Sequence, residues 1–382
     1  MYKYIYCYLF LFGVLCGCAN RHGCIVDADA VCMTINPDDS KRLDMETLFS
    51  SVDVIPLESS TASLFSRCDK MIFYEGKYYI LDKKAACIFI FDEDGTFLRS
   101  SKSKQGHGPG EYYCIVDFEI SKDGHIEILD VSAYKIRKYD DKFNFIGEVD
   151  IPRKLYPIST FKCLNDGLYA FYSPRSSKTN DQITVYSFKQ NRIVESVKGY
   201  ISISSLKVGT TQSYSFYESG EDVFFSFPYP NDKVYKIDRN EGSISETVRY
   251  DFGNYSFPFE ELDSHAVIFE DIIKGSKNYA FPIYRGENKD FLFTFIMYQG
   301  KQSLFLYDKV SRRSNLYSCQ FHDGKVLLPP TFVDDNYWYI VAERGWLEYM
   351  VTEKLSDEKA KEAIKKIQEE DNPVILKYSL RK

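Results

Sequence analysis

Hydrophobic and polar positions alternate in short runs along most of this chain, and the runs come in copies. Gly76-Lys77-Tyr78-Tyr79-Ile80-Leu81-Asp82 is matched by Gly124-His125-Ile126-Glu127-Ile128-Leu129-Asp130. Without a gap, Ile88-Phe89-Ile90-Phe91-Asp92 then falls on Ile136-Arg137-Lys138-Tyr139-Asp140, at a constant offset of 48 residues (76 to 124, 92 to 140). Each unit reads as a turn, a strand, a second turn, and a strand ending in an aromatic and an acid. Repeats of about 40–50 residues built this way are the sequence signature of propeller blades. One such unit cannot bury its own faces, so it is stable only when copies stack around an axis.

Four further copies follow downstream. Asp222-Val223-Phe224-Phe225-Ser226-Phe227 precedes Val234-Tyr235-Lys236-Ile237-Asp238, and Asp290-Phe291-Leu292-Phe293-Thr294-Phe295 precedes Leu304-Phe305-Leu306-Tyr307-Asp308. A degenerate copy lies between, Gly167-Leu168-Tyr169-Ala170-Phe171-Tyr172 with Ile183-Thr184-Val185-Tyr186. The last is split, Tyr337-Trp338-Tyr339-Ile340-Val341 pairing with Val374-Ile375-Leu376-Lys377-Tyr378 across a long insert. The reading is an all-β, six-bladed β-propeller whose inner strands start near Arg67, Cys114, Phe161, Gln212, Pro282 and Thr331. The sixth blade lacks an outer strand, whereas Val52-Asp53-Val54-Ile55-Pro56-Leu57-Glu58 is a strand without a blade. The N-terminal strand is therefore expected to close the last blade and cover its edge. Pro56 suits such an outermost position.

The split blade carries a short helical insert, about residues 346–372. Ser356 is its expected cap, Ala360, Ala363, Ile364 and Ile367 recur at helical spacing, and Pro373 stops it. Its narrow apolar stripe suits packing on the propeller rim better than binding a partner. A shorter helical stretch is read over residues 259–274.

The loop Gly106-His107-Gly108-Pro109-Gly110-Glu111-Tyr112, with Ile55-Pro56-Leu57-Glu58, Pro228-Tyr229-Pro230-Asn231-Asp232 and Tyr250-Asp251-Phe252-Gly253, resembles the six-bladed β-propeller lipoproteins of gut anaerobes. The resemblance runs from about Val52 onward and implies fold and location rather than activity. Residues 2–14 form an apolar run behind Lys3, too short for a membrane span. It ends in Leu15-Cys16-Gly17-Cys18, which is similar to the lipobox of bacterial lipoproteins. That similarity implies a signal peptide over residues 1–17, cleavage after Gly17 and lipid attachment at Cys18. Residues 18–50 then read as a polar tether, and residues 51–382 as the propeller domain. Ala19-Asn20-Arg21-His22 lacks the acidic run of surface-exported lipoproteins, so an outer-membrane anchor fits without fixing which side the protein faces.

Composition adds three constraints. With 44% hydrophobic residues, 31 Tyr and 29 Phe, the chain is too apolar for disorder and rich in strand formers. A net charge of −7 without a basic patch argues against nucleic acid as ligand. Outside the export segment seven cysteines remain, an odd number at irregular spacing. They read as small buried hydrophobes, apart from a bridge between Cys24 and Cys32 that an oxidising compartment would allow.

No catalytic, metal or cofactor motif appears. The five histidines are not spaced as metal pairs, and Gly-x-Ser-x-Gly is absent. The acidic turns at Asp92, Asp123, Asp140 and Asp334 read as hairpin chemistry, with calcium as the functional alternative. The loop at residues 106–112 reads as a structural inter-blade turn, with an anion cradle as its alternative. Candidate ligand contacts at the funnel are Arg67, His107, Glu111, Tyr112, Tyr113, Tyr214 and Arg285, since aromatic faces and guanidinium forks give directional contacts at low entropic cost. The function expected is a lipid-anchored extracytoplasmic binding protein for a glycan, a peptide or an envelope partner. The rival is a lyase or hydrolase with a metal in the funnel.

Overall fold

The computed structural model describes residues 30–42, 44–173, 181–199, 215–227, 231–257, 279–321 and 324–381. Six antiparallel sheets form six blades in chain order, running from inner to outer strand. Their inner strands are Lys70–Tyr74, Asp117–Ile120, Thr160–Cys163, Phe216–Ser219, Ala280–Glu287 and Phe332–Val333. All six start within a few residues of the expected positions, although Gln212 itself lies outside the described residues. The last blade is completed by Phe49–Pro56, which pairs antiparallel with Val374–Leu380 and sets Val54 opposite Leu376.

The alternation along the strands is spent between neighbouring blades. Tyr78 and Ile80 face the sixth blade and pack with Tyr339 and Ile375. Tyr79 and Leu81, one residue out of phase, face the second blade and pack with Phe118, Ile126 and Ile128. Six apolar clusters, one per gap, make up the core in this way. Both faces of a blade are covered, so its middle strands read as nearly continuous apolar runs.

The 48-residue offset is also a repeat of hydrogen bonds. Asp82 accepts from the backbone N–H of Ala85 at 2.9 Å and of Ser66 at 2.7 Å. Its counterpart Asp130 accepts from the N–H groups of Ser132, Ala133 and Tyr113, each at 3.1 Å. Each aspartate pins its own turn and the connection arriving from the previous blade. Asp92 and Asp140 likewise cap equivalent turns, receiving N–H from Thr96 and Asn144 at 2.8 Å. The carboxylates of Asp92 and Asp140 are thus spent on structure, as is that of Asp334, which accepts from the N–H groups of Asn336 and Tyr337 at 2.8 Å.

Two expectations change. The segment read as a tether is in part integral to the ring. Val31–Thr34 adds a parallel fifth strand to the fourth blade, beside Ile244–Asp251. Lys41 then exchanges backbone hydrogen bonds with Leu316 and Ser318 of the fifth blade, at 2.8 and 2.7 Å. Met33, Ile35, Met45, Leu48 and Phe49 are buried, and these apolar residues among polar neighbours are what dock the segment. The insert forms a helix at Glu358–Lys366, but its cap is Asp357, whose carboxylate accepts from the N–H of Ala360 at 2.7 Å. Ser356 instead pairs with Val52 in an isolated bridge. Ala360 and Ile367 are buried against the last blade, so the helix packs on the ring. The stretch at 259–274 lies outside the described residues.

Candidate functional site

The blades surround a central cavity of about 770 Å³. Its lining comes from the inner strands and from the hairpins at their C-terminal ends. The lining runs along these strands from Lys70, Met71 and Phe216 at their starts to the hairpin residues 121–123, 165–167 and 220–221. The connections that lead into the inner strands bury Phe65, Tyr112, Ile115, Leu155 and Ile158 in the apolar clusters between blades.

Ionisable side chains on successive inner strands form a continuous belt around one side of this cavity. Lys70 donates to Asp117 at 2.9 Å and Glu119 at 2.5 Å, and to the Phe118 carbonyl at 2.7 Å. The other oxygen of Glu119 takes Lys162 at 2.5 Å, which also reaches Glu218 at 3.2 Å. Glu218 continues to Arg239, and Arg239 donates through Nε to the Glu221 carbonyl at 2.8 Å. Asp117 turns its second oxygen to the N–H of Phe161 at 3.0 Å and to the Thr160 hydroxyl. Burial works against the charge on Lys70, but Asp117 and Glu119 outweigh it and hold the ammonium above its ordinary pKa. Glu218 is likewise held below the usual carboxylate value, because Lys162 and Arg239 overcome desolvation.

On the same wall, Glu127 accepts from Lys138 at 2.7 Å and from the Tyr169 hydroxyl at 3.2 Å. Cys163 beside it has its thiol pushed up to about 11 by burial and the Glu127 charge, so it stays protonated and inert. The rest of the lining is aromatic and apolar, with Ile72, Phe73 and Tyr74 continuing the strand of Lys70, and Tyr284, Phe332 and Val333 on the fifth and sixth blades. Glu287 joins it, its pKa raised by burial although Lys309 sits 3.1 Å away.

None of the six described candidates from the sequence lines this cavity; Tyr214, and Cys18 with the export segment, lie outside the described residues. Arg67 is 68% exposed and pairs with Asp69 at 2.5 Å. His107 stacks on Tyr113, with ring centroids 4.6 Å apart, in the connection between the first two blades. Glu111 receives the N–H of Gly108 at 2.8 Å, and a Cβ on Gly106 would meet that carboxylate at 2.0 Å. Those glycines make room for Glu111, which establishes the structural turn rather than an anion cradle. Tyr112 is fully buried, its hydroxyl bonded to Ser101. Arg285 is 2% exposed and turned between blades onto the carbonyls of Asn231 and Phe227 and the face of Tyr250.

The belt carried a signal that period-2 reading passes over. Inner strands otherwise apolar hold ionisable residues of alternating sign from blade to blade: Lys70, Glu119, Lys162, Glu218. Among the described residues, no group of three or more His, Cys, Asp or Glu side chains is arranged to hold a metal ion. Cys32 is disulfide-bonded, and the five other described cysteines are free.

A closed six-bladed ring around an ion-paired axial cavity defines a β-propeller. A solved structure with the same fold is a Bacteroides fragilis protein named as exported, which superposes with a TM-score of 0.70 at 18% identity, over 92% of this chain and all of that one. A member of the DUF4221 family from Bacteroides vulgatus matches with a TM-score of 0.46 at 10% identity, over 87% and 99% of the two chains. Virginiamycin B lyase from Staphylococcus aureus matches with a TM-score of 0.37 at 14% identity, over 71% and 75%. No curated protein matches the chain. The chain belongs to the family described as Domain of unknown function (DUF4934), whose model matches residues 32–379.

Proposed function

We propose that this protein is an extracytoplasmic binding protein, held to the cell envelope by a lipid on Cys18, whose ligand occupies the central cavity. The observation that carries the reading is the cavity itself. At about 770 Å³ it lies within the roughly 300–1,000 Å³ of small-ligand sites, and it joins an apolar wall to a few converging polar groups. The anchor rests on the apolar run and Leu15-Cys16-Gly17-Cys18, and export fits the naming of the Bacteroides fragilis neighbour. Binding rather than turnover fits Cys163 and Lys162, both locked in the protonation state that makes them poor nucleophiles.

The test is a thermal-shift screen of oligosaccharides and short peptides against wild type and Val333→Trp. Val333 is half-buried on the cavity wall, so the indole would fill space without opening the core. Hits should stabilise wild type and lose that effect in the variant, whose unliganded melting temperature stays close to wild type. A hit that stabilises both equally would place the site elsewhere on the ring.

A further inference from the structure

The charge pattern of the cavity wall constrains its occupant, given the preceding reading that the ligand sits there. Five cationic side chains line it among the described residues, Lys70, Lys122, Lys138, Lys162 and Arg239. Every one already holds a carboxylate: Lys122 pairs with Glu221 at 2.7 Å, Lys138 with Glu127, and the other three sit in the belt. Of the wall carboxylates, Glu119, Glu127, Glu218, Glu221 and Glu287 are ion-paired in turn, Asp166 pairs with Lys189 at 3.2 Å, and Asp123, on an exposed hairpin, has no ion pair among the described residues. In the interior, past the exposed hairpins that carry Lys122, Asp123, Asp166 and Glu221, an anion would have to draw a cation off a buried partner, and a cation would have to draw off a carboxylate. Breaking a buried pair strands the other charge, which is costly.

A neutral hydroxyl faces no such penalty. An ammonium has three protons and a carboxylate about four lone-pair sites, so paired groups still have positions left for hydroxyl donors and acceptors. One is identifiable: Glu127 is 1% exposed, lines the cavity, and its Oε2 has no hydrogen-bond donor among the described residues. On the wall formed by the sixth blade, away from the belt, Phe332 and Val333 add apolar surface. A ligand that satisfies both walls is uncharged, carries many hydroxyls around its edge, and has an apolar face. We infer that the cavity takes a neutral saccharide, with its hydroxyls toward the Glu127–Lys138 side and a ring face against that apolar wall.

The experiment is calorimetric titration of the full chain with three matched probe sets. These are neutral glucose, galactose, mannose and xylose oligomers, anionic galacturonate oligomers and cationic glucosamine oligomers. Neutral oligomers should bind with little salt dependence, and both charged sets at least about tenfold more weakly, the cost of one compromised charge-assisted hydrogen bond. Lys138→Gln removes the charge compensating Glu127 and should shift the preference toward glucosamine oligomers by about tenfold relative to wild type. Arg239→Gln should do the same at Glu218, and serves if the first variant fails to fold. Preferential binding of either charged set by wild type, an unchanged preference in both variants, or silence of the whole neutral panel would each overturn the inference. The cavity reading fails separately, if Val333→Trp leaves binding of a captured probe unaltered.

Discussion

Phe49 lies in the stretch that composition marks as a tether, yet it is fully buried. Its ring sits 5.5 Å from Trp338 and 4.8 Å from Tyr378, on the strand that closes the last blade. Truncating a buried Phe to Ala costs about 3–5 kcal/mol in lost transfer energy and residual cavity. With unfolding entropy near 2.1 cal/mol/K per residue, about 300 residues of ring have about 0.6 kcal/mol/K, so a loss of about 4 kcal/mol lowers Tm by roughly 6 °C. Phe145→Ala is the control: that residue is 42% exposed on the outer strand of the second blade and should cost less than about 1 kcal/mol. Thermal melts monitored by tryptophan fluorescence report the change, because Trp338 is a direct neighbour. A Phe49→Ala/Trp338→Phe cycle should further show coupling of about 0.5–1.5 kcal/mol. If Phe49→Ala melts within about 1 °C of wild type, well below the roughly 6 °C expected, the closing strand is not part of the cooperative ring and the closure argument is wrong.

Three other outcomes are expected. Lys162→Met leaves Glu119 and Glu218 facing a methyl group in the belt and should destabilise by about 3–5 kcal/mol in denaturant melts; a neutral effect would mean the belt is not maintained in solution. Glu218 has a folded-state pKa below its ordinary 4.5, so it binds fewer protons folded than unfolded. Its stabilisation is present above pH 4.5 and lost as pH falls through the depressed value. The acid limb of a stability profile should therefore flatten in Glu218→Gln, and an identical limb would remove Glu218 from the account. Mass spectrometry of membrane fractions should find a mature chain starting at acylated Cys18, and Cys18→Ala should release it; a soluble chain with another start refutes the anchor.

The ring was legible in sequence because its physics is local and repeated. The offset that aligns Asp82 with Asp130 exists because both pin the same two pieces of backbone. The orphan strand around Val54 found its place by elimination, since a blade without an outer strand and a strand without a blade have one mutual solution. What periodicity does not encode is which end of the inner strands stays open. Nor does it say which residues of the connections are core: Tyr112 looked like a funnel aromatic but is buried between blades, bonded to Ser101. Arg285 sits between Tyr284 and Gly286 of the cavity wall, yet alternation sends its side chain to carbonyls of the neighbouring blade. The belt residues were missed for the converse reason. A lysine within an apolar strand looks like a surface residue until its partner, 47 residues away at Asp117, is placed beside it.

The strap that crosses the fourth, fifth and sixth blades makes closure wait for the end of the chain. Val31–Thr34 and Phe49–Pro56 are made first, but their partners Ile244–Asp251 and Val374–Leu380 arrive late, with Ser51 meeting Ser379 across 328 residues. Contacts of such separation form slowly. Until they form, an arc of five blades has two open flanks, Tyr78, Ile80 and Phe91 on the first blade and Phe293, Phe295 and Leu304 on the fifth. Each flank is shaped for the missing sixth blade and fits the sixth blade of another copy equally well. At high concentration the arc therefore has an intermolecular way to finish, exchanging blades between chains. Export as proposed, one extended chain at a time, would keep each arc alone until its own last strand arrives.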